Sequence, residues 1–350
     1  MKTKLLDYAK EGNILKLICG AAVQNPDDVL RCTFIATMAN VSIVDVSYSM
    51  VGAAVKGRSL AEQKKVFKEL PLIMASISNP GDPHFFKIEY KGKECDLCNK
   101  CVRICPNNAI SNFSNKIQVD KSMCRGCGHC LETCHLKNFE FKPMNMPTIN
   151  EAIIEAKKNG ADMIELHLSG QSPQSIAEIL ESTKADLDNV LLSVCIGSQL
   201  SSPKEISQVL KVIVEYRKGI PTFIQADGNT MKGDSHGIAA LAIAELILSH
   251  NFPDIYVICS GGCGPLTWRI ARLASLPIAG IGMGIAFRER IAHLINSDSL
   301  LDSPNLWKEA EDIGGIIRGQ VTGNEEKSTR DRILKGVALL NATEQAFECK

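Results

Sequence analysis

Eight of the fourteen cysteines in this 350-residue chain fall into two copies of one spacing. The first is Cys95-x2-Cys98-x2-Cys101-x3-Cys105-Pro106, and the second is Cys124-x2-Cys127-x2-Cys130-x3-Cys134-His135. Three thiols at three-residue intervals let one tight loop wrap a face of a cubane, and a short helix can carry the fourth away. Such runs hold [4Fe-4S] clusters through cysteine thiolates. The chemistry they predict is one-electron transfer. Pro106 ends the first ligand turn, having no N–H and a fixed φ. His135 takes its place in the second copy and leaves all the thiolates intact.

Structural zinc is the plain alternative for eight cysteines. Zinc sites take two separated Cys/His pairs, the second well downstream of the first. A run of four that returns 29 residues later (Cys95 to Cys124) does not divide that way. Disulfides fit worse, because residues 1–10 are charged and no apolar signal segment follows them. The expectation is a soluble protein of a reducing cytosol. The module resembles the two-cluster bacterial ferredoxins, in which the fourth cysteine of each run ligates the other cluster. That resemblance implies two [4Fe-4S] clusters with crossed ligands. One would be held by Cys95, Cys98, Cys101 and Cys134, and the other by Cys124, Cys127, Cys130 and Cys105.

The other residues with chemistry sit at the ends of aliphatic runs. Eight such runs read as buried parallel strands: 15–19, 42–46, 72–77, 163–168, 190–196, 222–226, 255–259 and 278–282. Near-continuous apolar runs suit a sheet covered on both faces. Helical stretches with proper starts lie between them, as at Asn25-Pro26-Asp27-Asp28 and Ser202-Pro203-Lys204-Glu205. Alternation of this kind predicts an α/β fold, a (β/α)8 (TIM-like) barrel, with an open doubly wound sheet as the runner-up. The cysteine block would be a small α+β two-cluster ferredoxin domain inserted after strand 3, on the face where barrels build their sites. The expected division is 1–83 and 148–298 for the barrel, 84–147 for the insertion, and 299–350 for a C-terminal helical extension, including a helix over 330–347.

Two glycine groups close the seventh and eighth runs: Ser260-Gly261-Gly262, and Gly280 through Gly284. Barrels hold phosphate there through backbone N–H groups and a helix N-terminus. Gly261, Gly262, Gly282 and Gly284 are therefore candidates for a phosphate or other anion, such as that of FMN or another phosphorylated ligand. Their plainer reading is turns and close packing. Lys16, Asp45, Ser76, His167, Gln225 and Asp227 would converge on the same mouth, and Lys16, Asp45, His167 and Asp227 are the catalytic candidates. Lys16 could equally be a salt bridge to Asp45, His167 a satisfied core histidine, and Asp227 a helix cap. Cys263, in the glycine loop, is the one other thiol to test for reactivity.

Composition excludes some classes. Thirty-nine basic side chains balance thirty-nine acidic ones, so no global charge points to nucleic acid or a membrane surface. No apolar run approaches the ~20 residues of a membrane span. From 84 to 143, ten Lys and Arg face six acids. The two clusters' negative charge would bring the module near neutral.

The whole resembles the LdpA family, the light-dependent period proteins, which are iron–sulfur proteins of redox input to the cyanobacterial clock. The resemblance is carried by LKLICGAA at 15–22, Asp82-Pro83-His84-Phe85, both cysteine runs, ADMIELH at 161–167, ADGN at 226–229, and the region from Ser260 to Gly282. It implies a cluster-bearing redox sensor and identifies no reaction. Two functions follow. One is a redox-sensing or electron-transfer protein serving a partner protein or small carrier. The other is a flavin- or substrate-binding barrel oxidoreductase that uses the clusters as an internal relay.

Overall fold

The computed structural model describes residues 2–78, 82–92, 94–168, 170–187, 190–197, 202–228 and 237–319. The stretch expected as a helix over 330–347 lies outside them, as does Asn229. In chain order the first elements are α1 (Lys2–Lys10), β1 (Ile14–Gly20), α2 (Pro26–Met38), β2 (Ile43–Ser47), α3 (Val51–Lys64) and β3 (Leu72–Ser78). The cysteine block follows: β4 (Phe86–Tyr90), α4 (Lys100–Ile104), β5 (Ile110–Phe113), β6 (Lys116–Val119), α5 (His129–Thr133) and β7 (Phe139–Pro143). The chain then runs α6 (Ile149–Lys158), β8 (Met163–His167), α7 (Pro173–Leu187), β9 (Leu191–Gly197), α8 (Pro203–Tyr216) and β10 (Thr222–Asp227). It closes with α9 (Ile238–Leu248), β11 (Ile255–Ser260), α10 (Pro265–Leu273), β12 (Gly280–Met283), α11 (Ile285–Ile295) and α12 (Pro304–Gly319).

Eight strands close into a parallel barrel in the order β1-β12-β11-β10-β9-β8-β3-β2. Because β1 pairs with both β2 and β12, the sheet has no free edge, and this removes the open-sheet alternative. The helix starts follow local rules. Asn25 caps α2 by accepting from the Asp28 N–H, with Pro26 at the first helical position. Thr148 and Glu151 form a reciprocal capping box on α6.

Alternation along each strand sorts the residues into two layers. Outward-facing Leu15, Leu17, Val44, Ile73, Ile164, Leu166, Val194, Ile224 and Val257 are buried against the helices. Inward-facing Ile14, Ile43, Leu72, Met74, Met163, Leu191, Phe223 and Ile258 fill the lower barrel, and Leu5 and Ala9 of α1 seal it from below. Sequence reading had assigned no element to this first helix. Phe223 is fully buried in that plug. Phe223→Ala is expected to cost about 3–5 kcal/mol through lost burial and an unfilled cavity. A urea midpoint indistinguishable from that of the parent would contradict the packing.

Above this plug the interior turns polar: Lys16, Asp45, Ser76, Glu165, His167, Ser193, Gln225, Asp227 and Ser260 are all buried. A barrel interior normally prefers branched apolar side chains. The polar upper half departs from that preference. The insertion leaves the barrel after β3, and its ends are tied by antiparallel pairing of β4 with β7, Phe86 opposite Pro143. Its hairpin β5–β6 turns at Ser114 and Asn115, both with positive φ. The module rests on the barrel's β1–α2 loop. Gln24 donates its N–H to Ser122 O at 2.9 Å and accepts from the buried Lys87 Nζ at 2.8 Å.

Candidate active site and cluster-binding loops

Lys16 organises the barrel interior. Its Nζ lies 2.8 Å from Asp45 Oδ2 and 2.7 Å from Glu165 Oε2, and donates a short hydrogen bond to Gln225 Oε1. Three protons thus meet three acceptors. Ser76 Oγ donates to Asp45, Ser193 Oγ to Glu165 Oε2 at 2.9 Å, and Ser260 Oγ to Gln225 Oε1 at 3.0 Å. Burial works against the ammonium, but Asp45 and Glu165 outweigh it, and the Lys16 pKa stands above the ordinary value. Burial likewise opposes the charge of Glu165. Lys16 and His167 override it and hold Glu165 down at about 2. In Asp45 burial wins over Lys16, and the pKa is raised. Lys16 is a satisfied ammonium with no free lone pair. It makes the salt bridge to Asp45 that its plainer reading expects, and a second one to Glu165.

Nearer the mouth, two histidines share Asp82. His84 Nδ1 lies 2.8 Å from Asp82 Oδ1, which also accepts the His84 N–H at 2.8 Å. His84 Nε2 is 3.2 Å from Asp227 Oδ2. His167 Nδ1 is 3.8 Å from Asp82 Oδ2, and its Nε2 is 3.0 Å from Glu165 Oε1. Neither His167 nitrogen has hydrogen-bond alignment, and Glu165 Oε1 is also unmatched. His167 is thus buried, with its Nε2 against Glu165 and its Nδ1 turned toward Asp82. Burial opposes charge on His84, but Asp227 and Asp82 raise its pKa to about 10. Asp82 falls to about 2, with burial overcome by His84 and His167.

These groups open into a cavity of about 430 Å³, within the usual range for small-molecule sites. Asp45, Ser76, His84, His167, Gln225 and Asp227 line it, together with Gly261, Gly262 and Gly284. Gly261 has φ +76, and a Cβ there would collide with Asp227 Oδ1. Gly284 precedes α11, and a Cβ there would meet nothing closer than 3.8 Å. Gly282 stands apart from the other candidates. It faces into the barrel opposite Lys16, and a Cβ there would strike Ser260 Oγ, so its role is close packing. Cys263 lines the cavity and is buried.

The far wall comes from the inserted module. Arg125, between Cys124 and Cys127, is 8% exposed and lines the cavity with the three glycines. Its Nε has no hydrogen-bond partner. Burial, then the nearby charge of Arg288, lowers its pKa, while Cys127 acts in the opposite direction. Sequence reading counted Arg125 only in the module's net charge.

The cysteines gather as two groups that cross the two runs. Cys95, Cys98 and Cys101 surround one small cavity together with Cys134 from the second run. The Cys130 thiol is pushed up to about 12 by burial first, then by Cys127, Cys124 and Cys105 beside it. Backbone N–H groups point at three of the sulfurs: Ala109 to Cys105 Sγ at 3.2 Å, Ile88 to Cys124 Sγ at 3.4 Å, and Asn138 to Cys134 Sγ at 3.5 Å. Four soft donors per group, with N–H donors aimed at them, fit [4Fe-4S] clusters.

Residues 94–145 match the model of a 4Fe-4S dicluster domain. The chain thus carries a ferredoxin-type iron–sulfur module with electron-transfer capacity. No curated protein matches the chain. Similar solved structures include a protein assigned as a deoxyribose-phosphate aldolase from Toxoplasma gondii ME49, at 12% identity and TM-score 0.46, covering 89% of this chain and 98% of that one. The YdjI aldolase of Escherichia coli K12 is similar at 10% identity and TM-score 0.45, covering 92% and 94%. A protein described as QR15, an aldolase, stands at 13% and 0.44, covering 83% and 99%. Likeness at this level carries no chemistry. Among the described residues, no helix is long and apolar enough to cross a membrane.

Proposed function

We propose that this protein is a barrel oxidoreductase. A small molecule bearing an anionic group binds in the mouth, and the iron–sulfur module conducts electrons between it and a partner protein or small carrier. The observation that supports this reading is Arg125, one residue that belongs both to a cluster-binding loop and to the wall of the polar cavity. A scaffold for a tethered ferredoxin has no need of a buried charged network beneath that loop. The LdpA resemblance is compatible, since it speaks for redox work and names no reaction.

In this reading Cys95, Cys98, Cys101 and Cys134 hold one [4Fe-4S] cluster, and Cys124, Cys127, Cys130 and Cys105 the other. When bound, the clusters supply one-electron transfer. Oxidation of the bound molecule, XH2 → X + 2 e⁻ + 2 H⁺, sends two electrons out singly and releases two protons. Asp45 lines the cavity with a raised pKa and is the carboxylate placed to take one of them, and the other leaves to solvent through the open mouth. The anionic end lies against the N–H groups of Gly261, Gly262 and Gly284, with Arg125 opposite. The phosphate of FMN would occupy the same place in a flavin-bearing form.

The test is a redox titration of anaerobic, cluster-loaded protein with and without phosphate. An anion beside Arg125 favours the oxidised, less negative cluster, so the potential nearest to it should fall. A tenfold preference corresponds to about 59 mV for a one-electron centre. Arg125→Leu should lower that potential by itself and abolish the response. It should also weaken phosphate binding about ten- to a hundredfold, as expected for loss of a charged hydrogen bond of about 1.5–3 kcal/mol. Gly284→Val should block the site without altering the clusters. Potentials that ignore phosphate, with no thermal shift from phosphate, sugar phosphates or flavins, would sink the proposal.

A further inference from the structure

Asp82, His84 and His167 are brought to one point at the barrel mouth. Each offers one donor atom, and the three atoms lie within 4.8 Å of one another. We infer that these residues form a mononuclear site for a divalent first-row transition metal, separate from the iron–sulfur clusters and open to the cavity.

The geometry carries this inference in three ways. First, the histidines turn their Nδ1 atoms toward the same carboxylate, His84 at 2.8 Å and His167 at 3.8 Å from Asp82 oxygens. Donors bonded at about 2.0–2.2 Å to one tetrahedral ion stand about 3.3–3.6 Å apart, so His84 and Asp82 would open slightly while His167 closes on them. Second, the other nitrogen of each ring faces a further carboxylate, Asp227 at 3.2 Å for His84 and Glu165 at 3.0 Å for His167. This is how metal-binding histidines are held, because a carboxylate at Nε2 fixes the tautomer and leaves the Nδ1 lone pair free. Third, His167 is 5% exposed, yet its Nδ1 has no hydrogen-bond partner and lies 3.8 Å from Asp82 Oδ2. Unpaired burial of polar atoms is costly, and a cation bound at Nδ1 would remove that cost.

Charge points the same way. Asp45, Asp82, Glu165 and Asp227 lie around these rings, and Lys16 pairs with two of them, Asp45 and Glu165. A divalent ion held by the two rings would add positive charge beside the Asp82 carboxylate. Two imidazoles and one carboxylate suit Zn(II), Fe(II) or Co(II) over Mg(II) or Ca(II), which prefer all-oxygen shells. Three protein donors leave a coordination position facing the cavity, as in catalytic sites. Ser78 Oγ donates to Asp82 Oδ2 at 3.1 Å and orients the carboxylate from behind.

The inference does not depend on the anion subsite or on turnover, and its test needs neither. Anaerobic protein with both clusters intact is titrated with Zn²⁺ by calorimetry, then desalted and analysed for zinc, iron and sulfide. The expected result is one Zn²⁺ per chain at unchanged cluster iron. His167→Ala and His84→Ala should each lose at least a hundredfold in Zn²⁺ affinity while keeping the cluster spectrum. Asp227→Asn preserves shape, so it should keep the stoichiometry and lose about ten- to a hundredfold in affinity. Two results would overturn the site. Either the wild type retains no Zn²⁺, or both histidine variants bind it as the wild type does, which would assign the ion to cysteine sulfur.

Discussion

Cys105→Ala is expected to remove half of the cluster iron, and the half lost should be the cluster whose other ligands lie in the second run. Linear reading of the chain predicts the opposite, since Cys105 is the last cysteine of the first run. The expectation rests on two short helices. Cys101 lies on α4 and Cys130 on α5, and each helix ends at the fourth cysteine of its run, Cys105 and Cys134, in extended backbone. The two helices pack together, so each delivers its last thiol to the other loop. Cys134 accordingly shares a cavity with Cys95, Cys98 and Cys101, while Cys105 lies among Cys124, Cys127 and Cys130. Iron and sulfide analysis, with EPR of the dithionite-reduced protein, reads the outcome. The surviving signal should be lost on Cys101→Ala and kept on Cys127→Ala. If Cys105→Ala instead leaves a cluster that Cys127→Ala destroys, the crossed assignment is wrong. Stoichiometric zinc in place of iron would remove both assignments.

The barrel was legible in the sequence because its strands are buried on both sides. Runs such as LLSVC and TFIQA read as strands from local composition alone, and glycines and helix caps marked their ends. The cysteine runs were more legible still, since cluster ligation fixes both residue type and spacing. The mouth was legible only where a polar residue broke an apolar run on the inward face, as Lys16, Asp45, His167, Gln225 and Asp227 do. Glu165 carries the same signal, two residues before His167 and on the same face, but sits deep inside the apolar run MIELH. Asp82 and His84 left no periodic trace. They belong to a turn, and the sequence assigned His84 to the inserted module, whereas its ring pairs with Asp227 of the barrel. Arg125 is hidden for a related reason. Its neighbours Cys124 and Cys127 explain the local spacing so fully that nothing in the sequence marks its side chain as reaching the barrel cavity. Gly282 looked like a phosphate glycine because strand ends hold both kinds, and only the register opposite Lys16 separates packing from binding.

Lys16→Met should destabilise the barrel strongly, by about 3–5 kcal/mol. Lys16, Asp45 and Glu165 are each at most 3% exposed. Removing the ammonium leaves two buried carboxylates without their shared cation. Methionine keeps the volume, so the loss is electrostatic and not a cavity. If so, a second substitution should recover part of it: Lys16→Met with Glu165→Gln leaves one carboxyl, Asp45, whose pKa burial already raises. Anaerobic urea unfolding of the cluster-loaded variants measures both steps. A single variant within about 1 kcal/mol of the parent would mean that the carboxylates were already protonated. The same geometry excludes one chemistry that a barrel lysine invites. An amine attacks a carbonyl through its lone pair, whereas Lys16 is held as an ammonium by three acceptors and has a raised pKa. Borohydride treatment with aldehydes or ketones should therefore leave Lys16 unmodified. A reduced adduct found at Lys16 by mass spectrometry would reverse this and turn the lysine from an organiser of carboxylates into a nucleophile.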